Sequence, residues 1–160
     1  MLQYIIVFLI SMVPLIELRL AVPYGIAMGL NVPLVYIISI LGNMLPVPII
    51  YLFARKVLLW GKDKKYIGKF FTFCIEKGEK GGKKLQEKAG KGLFVALMLF
   101  VGIPLPGTGA WTGTLAASML DMDFKQSVIA VLLGVIIAGI IMGLASMGLL
   151  GALSALFAPK

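Results

Sequence analysis

Residues 102–113 read Gly-Ile-Pro-Leu-Pro-Gly-Thr-Gly-Ala-Trp-Thr-Gly (GIPLPGTGAWTG). The glycines suggest a nucleotide loop, but Gly107-Thr-Gly109-Ala-Trp-Thr-Gly113 is spaced GxGxxxG rather than GxGxxG, and no Gly-Lys-Ser/Thr follows. The physics such loops exploit is still present. A helix restarting after Pro104, Pro106 and Gly107, with Thr108 as its N-cap, offers backbone N–H groups at Gly109 to Trp111 and the positive end of its dipole. The stretch reads as a break between two half-helices. It either receives an anion or acts as a hinge that lets the chain pack closely.

The flanks place this break in a membrane. Charge-free runs extend from Met1 to Ile16, Leu20 to Ala54, Gly92 to Leu120 and Gln126 to Pro159, and crossing a bilayer takes about 20 apolar residues. The chain is 60% hydrophobic with a mean hydropathy of +1.01, where a soluble domain is roughly 45 to 50% apolar. Of its 15 basic residues, 12 lie between Arg55 and Lys91, so this one segment carries the whole net charge of +8. A short Lys-rich connection between apolar segments marks a cytoplasmic loop. With apolar segments on both sides, a nucleic-acid partner is not expected. The N-terminus lacks both the basic start and the cleavage pattern of a signal peptide, so it is expected to belong to the mature protein.

The chemistry is bounded from the other side by what the chain lacks. It has one cysteine, Cys74, and no histidine, which excludes an internal disulfide, a zinc constellation and a Ser-His or Cys-His nucleophile. No enzyme activity, catalytic residue, metal or cofactor is expected.

The N-terminal segment repeats the theme of residues 93–120. Met1 to Leu30 is apolar but interrupted by Pro14, Glu17, Arg19, Pro23 and Gly25, and then Asn31-Val-Pro33 turns into a spanning helix from Leu34 to Arg55, with a kink at Pro46 and Pro48. Leu93 to Leu120 breaks at Pro104 to Gly109, and a second spanning helix runs from Gln126 to about Leu150. An offset of about 90 residues aligns Pro14-Leu15 with Pro104-Leu105 and Asn31 with Asp121. The expected fold is an all-α integral membrane protein of two inverted repeats, each a broken, re-entrant helical hairpin followed by a transmembrane helix. It forms a single membrane domain over residues 1–160: repeat one at 1–55, a cytoplasmic basic loop at 56–92, repeat two at 93–160. Lys62 to Ile75 reads as an interfacial amphipathic helix, with Tyr66, Ile67, Phe70, Phe71 and Cys74 at helical spacing and the lysines between them attracted to anionic headgroups, and Gly78 to Gly92 as a linker. If both breaks are re-entrant, the chain crosses twice and both termini lie outside; if both cross, there are four spans with termini inside. The first is preferred, because Pro and Gly at mid-depth need protein or water around them.

Glu17 and Arg19 are the sharpest candidates, since an ionisable residue at the bilayer centre costs roughly 2.5 to 3.5 kcal/mol on insertion scales. The functional reading makes Arg19 an anion ligand and Glu17 a proton carrier; the structural one makes them a satisfied pair. Thr108, Gly109, Trp111 and Thr112 complete the substrate or ion site, with Pro14, Pro23, Gly25, Pro104, Pro106 and Gly107 as its hinges. Trp111 either shapes the cavity or joins an interfacial belt, Thr112 bonds its own helix, and Asn43 bonds the re-entrant backbone. Arg55 anchors its span at the interface. Gly139-xxx-Gly143 allows a close helix approach, inside the monomer or in a homodimer.

Phe100 to Gly113, preceded by Gly90-Lys-Gly92-Leu-Phe94, resembles the putative small multi-drug export protein family. Pro14-Leu-Ile-Glu17-Leu-Arg19 with Pro23 and Gly25 matches that family's N-terminal motif. More distantly the arrangement is similar to the DedA or VTT superfamily, whose paired re-entrant hairpins are associated with moving polyprenyl phosphates and other lipids. That resemblance implies an acidic residue in the first hairpin, which Glu17 fits. It also implies arginines around the second Pro-Gly, where this chain has Gly102, Thr108 and Gly109. The implied function is a small membrane transporter moving an amphiphile with an anionic headgroup, such as a lipid phosphate, among membrane lipids and with proton coupling. The alternatives are proton-driven export of cationic hydrophobic drugs and a membrane scaffold.

Overall fold

The computed structural model describes residues 1–62, Thr72, 92–105 and 107–157, and every element among them is a helix. These are α1 (Leu2–Met12), α2 (Glu17–Ala27), α3 (Val32–Met44), α4 (Pro46–Lys62), α5 (Leu93–Gly102), α6 (Ala110–Met119) and α7 (Phe124–Phe157). The expected amphipathic helix at 62–75, the linker at 78–92 and Pro106 lie outside the described residues, apart from isolated positions.

Both breaks start for one physical reason. A residue before proline is pushed out of the helical region. Val13, before Pro14, is extended at φ −72°, ψ 130°, and Ile103, before Pro104, is extended at φ −82°, ψ 118°. The two halves then close alike. The Leu30 N–H reaches the Gly25 carbonyl across Gly29 at φ 67°, and the Met122 N–H reaches the Ala117 carbonyl across Asp121 at φ 50°. The Asn31 carboxamide accepts the Leu34 N–H at 3.2 Å to open α3, and the Asp123 carboxylate accepts the Gln126 N–H at 3.0 Å to open α7.

The second break is the longer. The equivalence therefore runs at 90 residues before the breaks and at 92 after them, pairing Asn31 with Asp123 rather than with Asp121 as expected.

Packing repeats this correspondence. Gly42 on α3 lies against the Phe8 carbonyl and Ser11 of α1, and Gly134 on α7 lies against the Met98 carbonyl and Val101 of α5. Each half's second short helix packs on the long helix of the other half, α2 on α7 and α6 on α4. Tyr36 on α3 meets Gly139 and Gly143, whereas Tyr51 on α4 stacks edge-on against Phe124 at 5.2 Å, so α3–α4 and α7 run antiparallel. The Gly-xxx-Gly pair is thus occupied inside the chain.

Val32–Phe53 and Phe124–Gly148 are each long and apolar enough to cross a membrane. The 11 residues of α1 and of α2 span only about 16 Å each, roughly half of a ~30 Å hydrocarbon core. Valines fill the interior, among them Val7, Val22, Val35, Val47, Val101, Val131 and Val135, and Ile37, Leu41, Ile49, Leu133, Ile140 and Leu144 are exposed on the outside.

Two sequence expectations need correction here. Pro23 does not break the chain but sits inside α2, where it removes one backbone hydrogen bond from an otherwise continuous helix. Gly25 is also inside α2; a Cβ there would lie 2.6 Å from Val35, so it serves close packing and not a hinge. The apolar span Val32–Phe53 ends close to the expected Arg55, while the helix itself continues to Lys62. The proline pair interrupts the helix at Leu45, between α3 and α4.

Candidate functional site: two breaks joined by Glu17 and Arg19

Pro14 stops α1 and leaves a four-residue turn in which Leu15 (φ 67°) and the first residue of α2, Glu17 (φ 53°), adopt the left-handed region that non-glycine residues avoid. Such backbone persists only where its surroundings enforce it. Here the enforcing contact comes from the other half of the chain.

The Glu17 side chain, 2% exposed, reaches the start of α6, where its two carboxylate oxygens accept the N–H groups of Ala110 at 3.1 Å and Trp111 at 3.0 Å. Those are orphan donors at the positive end of the helix dipole. Two residues on, the Arg19 guanidinium turns to the chain between α5 and α6. It donates to the Leu105 carbonyl at 2.5 Å, the Ile103 carbonyl at 3.5 Å and the Thr108 hydroxyl at 2.6 Å. The anion sits on the donors of a helix start and the cation on carbonyls of the break before it, which also accept backbone N–H groups. Both charges therefore tie the first break to the second.

Trp111 adds a third cross-link, its indole N–H donating to the Met12 carbonyl at the end of α1, 3.2 Å away. This is neither of the two positions considered from sequence. Gly109, at φ 134°, holds the cap position of α6 directly under the Glu17 carboxylate, where a Cβ would collide with it. Gly107, at φ 82°, turns the chain.

Thr108 is not the N-cap that was expected. The carboxylate of Glu17 takes the N–H groups instead, and the Thr108 hydroxyl reaches back to the Ile103 and Leu105 carbonyls at 2.9 and 2.8 Å. Thr112 bonds within its own first turn, to the Gly109 carbonyl at 3.4 Å. Asn43 is fully buried, but its amide meets no partner, contrary to the expectation that it holds the break's backbone. The carbonyls of Met12, Ile103 and Leu105 were not foreseen as site groups, although each lies within two residues of a break-forming proline.

The described residues thus form a small apolar helical assembly with two helices long and apolar enough to cross a membrane, in which buried Glu17 and half-buried Arg19 join two broken segments. More particularly, the chain belongs to the family described as "Putative small multi-drug export protein", whose pattern matches residues 17–141. That span starts at Glu17 and takes in both the Arg19 contacts and all of 102–113. Neither the curated proteins nor the solved structures contain a match.

Proposed function

We propose that the protein is a small exporter built as an inverted repeat, in which two re-entrant broken hairpins meet tip to tip and an amphiphile with an anionic headgroup passes between them. The antiparallel course of α3–α4 and α7, the half-bilayer length of the short helices and the meeting of the two breaks support this architecture. It gives a multi-pass protein with the basic segment 56–92 on the cytoplasmic side and lipid around the apolar exterior. No catalytic step is assigned.

The observation that carries the reading is the Glu17 carboxylate on the N–H groups of Ala110 and Trp111. A carboxylate accepts two charge-assisted bonds there, worth roughly 1.5 to 3 kcal/mol each. A proton on Glu17 removes the charge and loosens the clamp. The freed N–H groups and the neighbouring Arg19 then suit the substrate's anionic group, so substrate and Glu17 carboxylate alternate at one helix terminus. A lipid phosphate has the required chemistry.

Glu17→Gln keeps one acceptor oxygen of the two, so it is expected to lower the unfolding temperature while leaving the helical fold by circular dichroism, and to abolish proton-driven transport in reconstituted vesicles; Arg19→Ala is expected to abolish transport of anionic amphiphiles. Unchanged transport by Glu17→Gln refutes the mechanism. Competition between a cationic dye and protons at Glu17, with no effect of Arg19→Ala, would replace the anionic substrate with cationic hydrophobic drugs, one form of the multi-drug export that the family's description names.

A further inference from the structure

Trp111 holds the first half of the chain with two different N–H groups. Its backbone N–H meets the Glu17 carboxylate at 3.0 Å, and its indole N–H meets the Met12 carbonyl, at the end of α1, at 3.2 Å. One residue thus touches both the charge that follows the first break and the helix that leads into it.

The repeat supplies a counterpart. After the breaks the halves correspond at 92 residues, as Asn31 with Asp123 and Gly42 with Gly134 demonstrate. On that register Trp111 corresponds to Arg19, and Gly109 to Glu17. Before the breaks the offset is 90, which pairs Val13 with Ile103 and Met12 with Gly102. The Arg19 guanidinium donates to the Ile103 and Leu105 carbonyls and the Trp111 indole to the Met12 carbonyl, so equivalent residues reach across to the same place, the end of the other half's first short helix. Glu17 and Gly109, themselves equivalent, lie against each other between these two latches.

The latches differ in chemistry. Arg19 makes three charge-assisted bonds, the third to the Thr108 hydroxyl, and each such bond is roughly twice as strong as a neutral one. Trp111 makes a single neutral bond to Met12. A hydrogen bond weakens steeply as its angle opens, and the indole is aimed from the first turn of α6, the turn that the Glu17 carboxylate pins. A small rotation of that turn is enough to lose the bond to Met12.

We propose that Trp111 is a positioning residue for transport that ties the end of α1 to the state of Glu17. When the carboxylate leaves the start of α6, the indole releases Met12 and the first hairpin opens at α1, while Arg19 still holds the break after α5. This rests on the exporter reading above, in which substrate and carboxylate alternate at one helix terminus. It adds the step by which that exchange moves a helix.

Spin labels on the full chain in lipid bilayers read the two latches separately. In a Cys74→Ser background, Val13→Cys and Ile103→Cys each place a label at a latched helix end, at equivalent positions that are 40% and 46% exposed. Trp111→Phe keeps an aromatic ring and removes the N–H donor. It is expected to mobilise the label at position 13 and leave that at 103 as in the parent, and Arg19→Ala to do the reverse. Glu17→Ala, which empties both N–H sites, is expected to mobilise the label at 13 as Trp111→Phe does. A label at 13 that stays immobile in Trp111→Phe or in folded Glu17→Ala overturns the proposal, and so does a label at 103 that loosens with Trp111→Phe. In reconstituted vesicles Trp111→Phe is expected to lower kcat with KM unchanged, a split that a purely structural role would not produce; unchanged kcat also overturns the proposal. The labels report without transport, so failure of this link is distinct from failure of the exporter reading, which transport by Glu17→Gln decides.

Discussion

Glu17 spends the backbone strain of a left-handed residue to place a carboxylate under a helix that begins 93 positions later in the chain. The opposing surface must be bare for it to fit, which is why Gly109 has no side chain. Gly109→Ala adds a Cβ against the carboxylate in a backbone conformation that itself disfavours alanine by about 1 to 3 kcal/mol. A correspondingly lower unfolding temperature in detergent, together with lost transport, is expected, whereas Thr112→Val, which removes a hydroxyl bonded within its own helical turn, is expected to leave both unchanged. At this scale the sequence was legible where chemistry is rare. Glu17 and Arg19 stand out because charge is scarce in the first 54 residues. Thr108 misled because a threonine beside a restarting helix ordinarily caps it, and no local pattern reveals a carboxylate arriving from the other half.

Helix boundaries followed proline and cap chemistry closely. Val13 and Ile103 leave the helix because proline follows, and Asn31 and Asp123 open long helices with their side chains. Where proline lies inside a packed segment the rule fails, as at Pro23, because one lost hydrogen bond is outweighed by burial of Leu18, Ala21 and Val22 on the same helix. Close approaches needed a partner to interpret them. Gly139 and Gly143 suit a dimer as well as a monomer until Tyr36 is seen seated on them. Gly143→Ala is therefore expected to destabilise the monomer by displacing that ring, and Tyr36→Leu to relieve much of the loss. A double-mutant cycle in thermal unfolding reads the coupling, expected at about 0.5 to 3 kcal/mol for residues in contact.

For the whole molecule the recurrence of a break followed by a long helix was legible in the sequence, but its register was not, because the second break is longer than the first. The inverted direction expected of the halves turns on contacts such as Tyr36 with Gly143 and Tyr51 with Phe124, which join residues far apart in sequence. Accessibility labelling tests the proposed inversion. In a Cys74→Ser background, Gln3→Cys and Met28→Cys are expected to react from one side of the membrane and Lys125→Cys from the other. If the first broken segment crossed, Gln3→Cys and Met28→Cys would react from opposite sides. The cross-half cap also sets an order of events during synthesis. Glu17 leaves the ribosome 93 residues ahead of Ala110, a wait of about 5 to 20 s at roughly 5 to 20 residues per second. Throughout that interval the charges at 17 and 19 lack their partners in the second half. If both breaks are re-entrant, as proposed, the nascent first half must keep these charges near water until the partners arrive, and the last step of biogenesis is the joint descent of both tips into the bilayer.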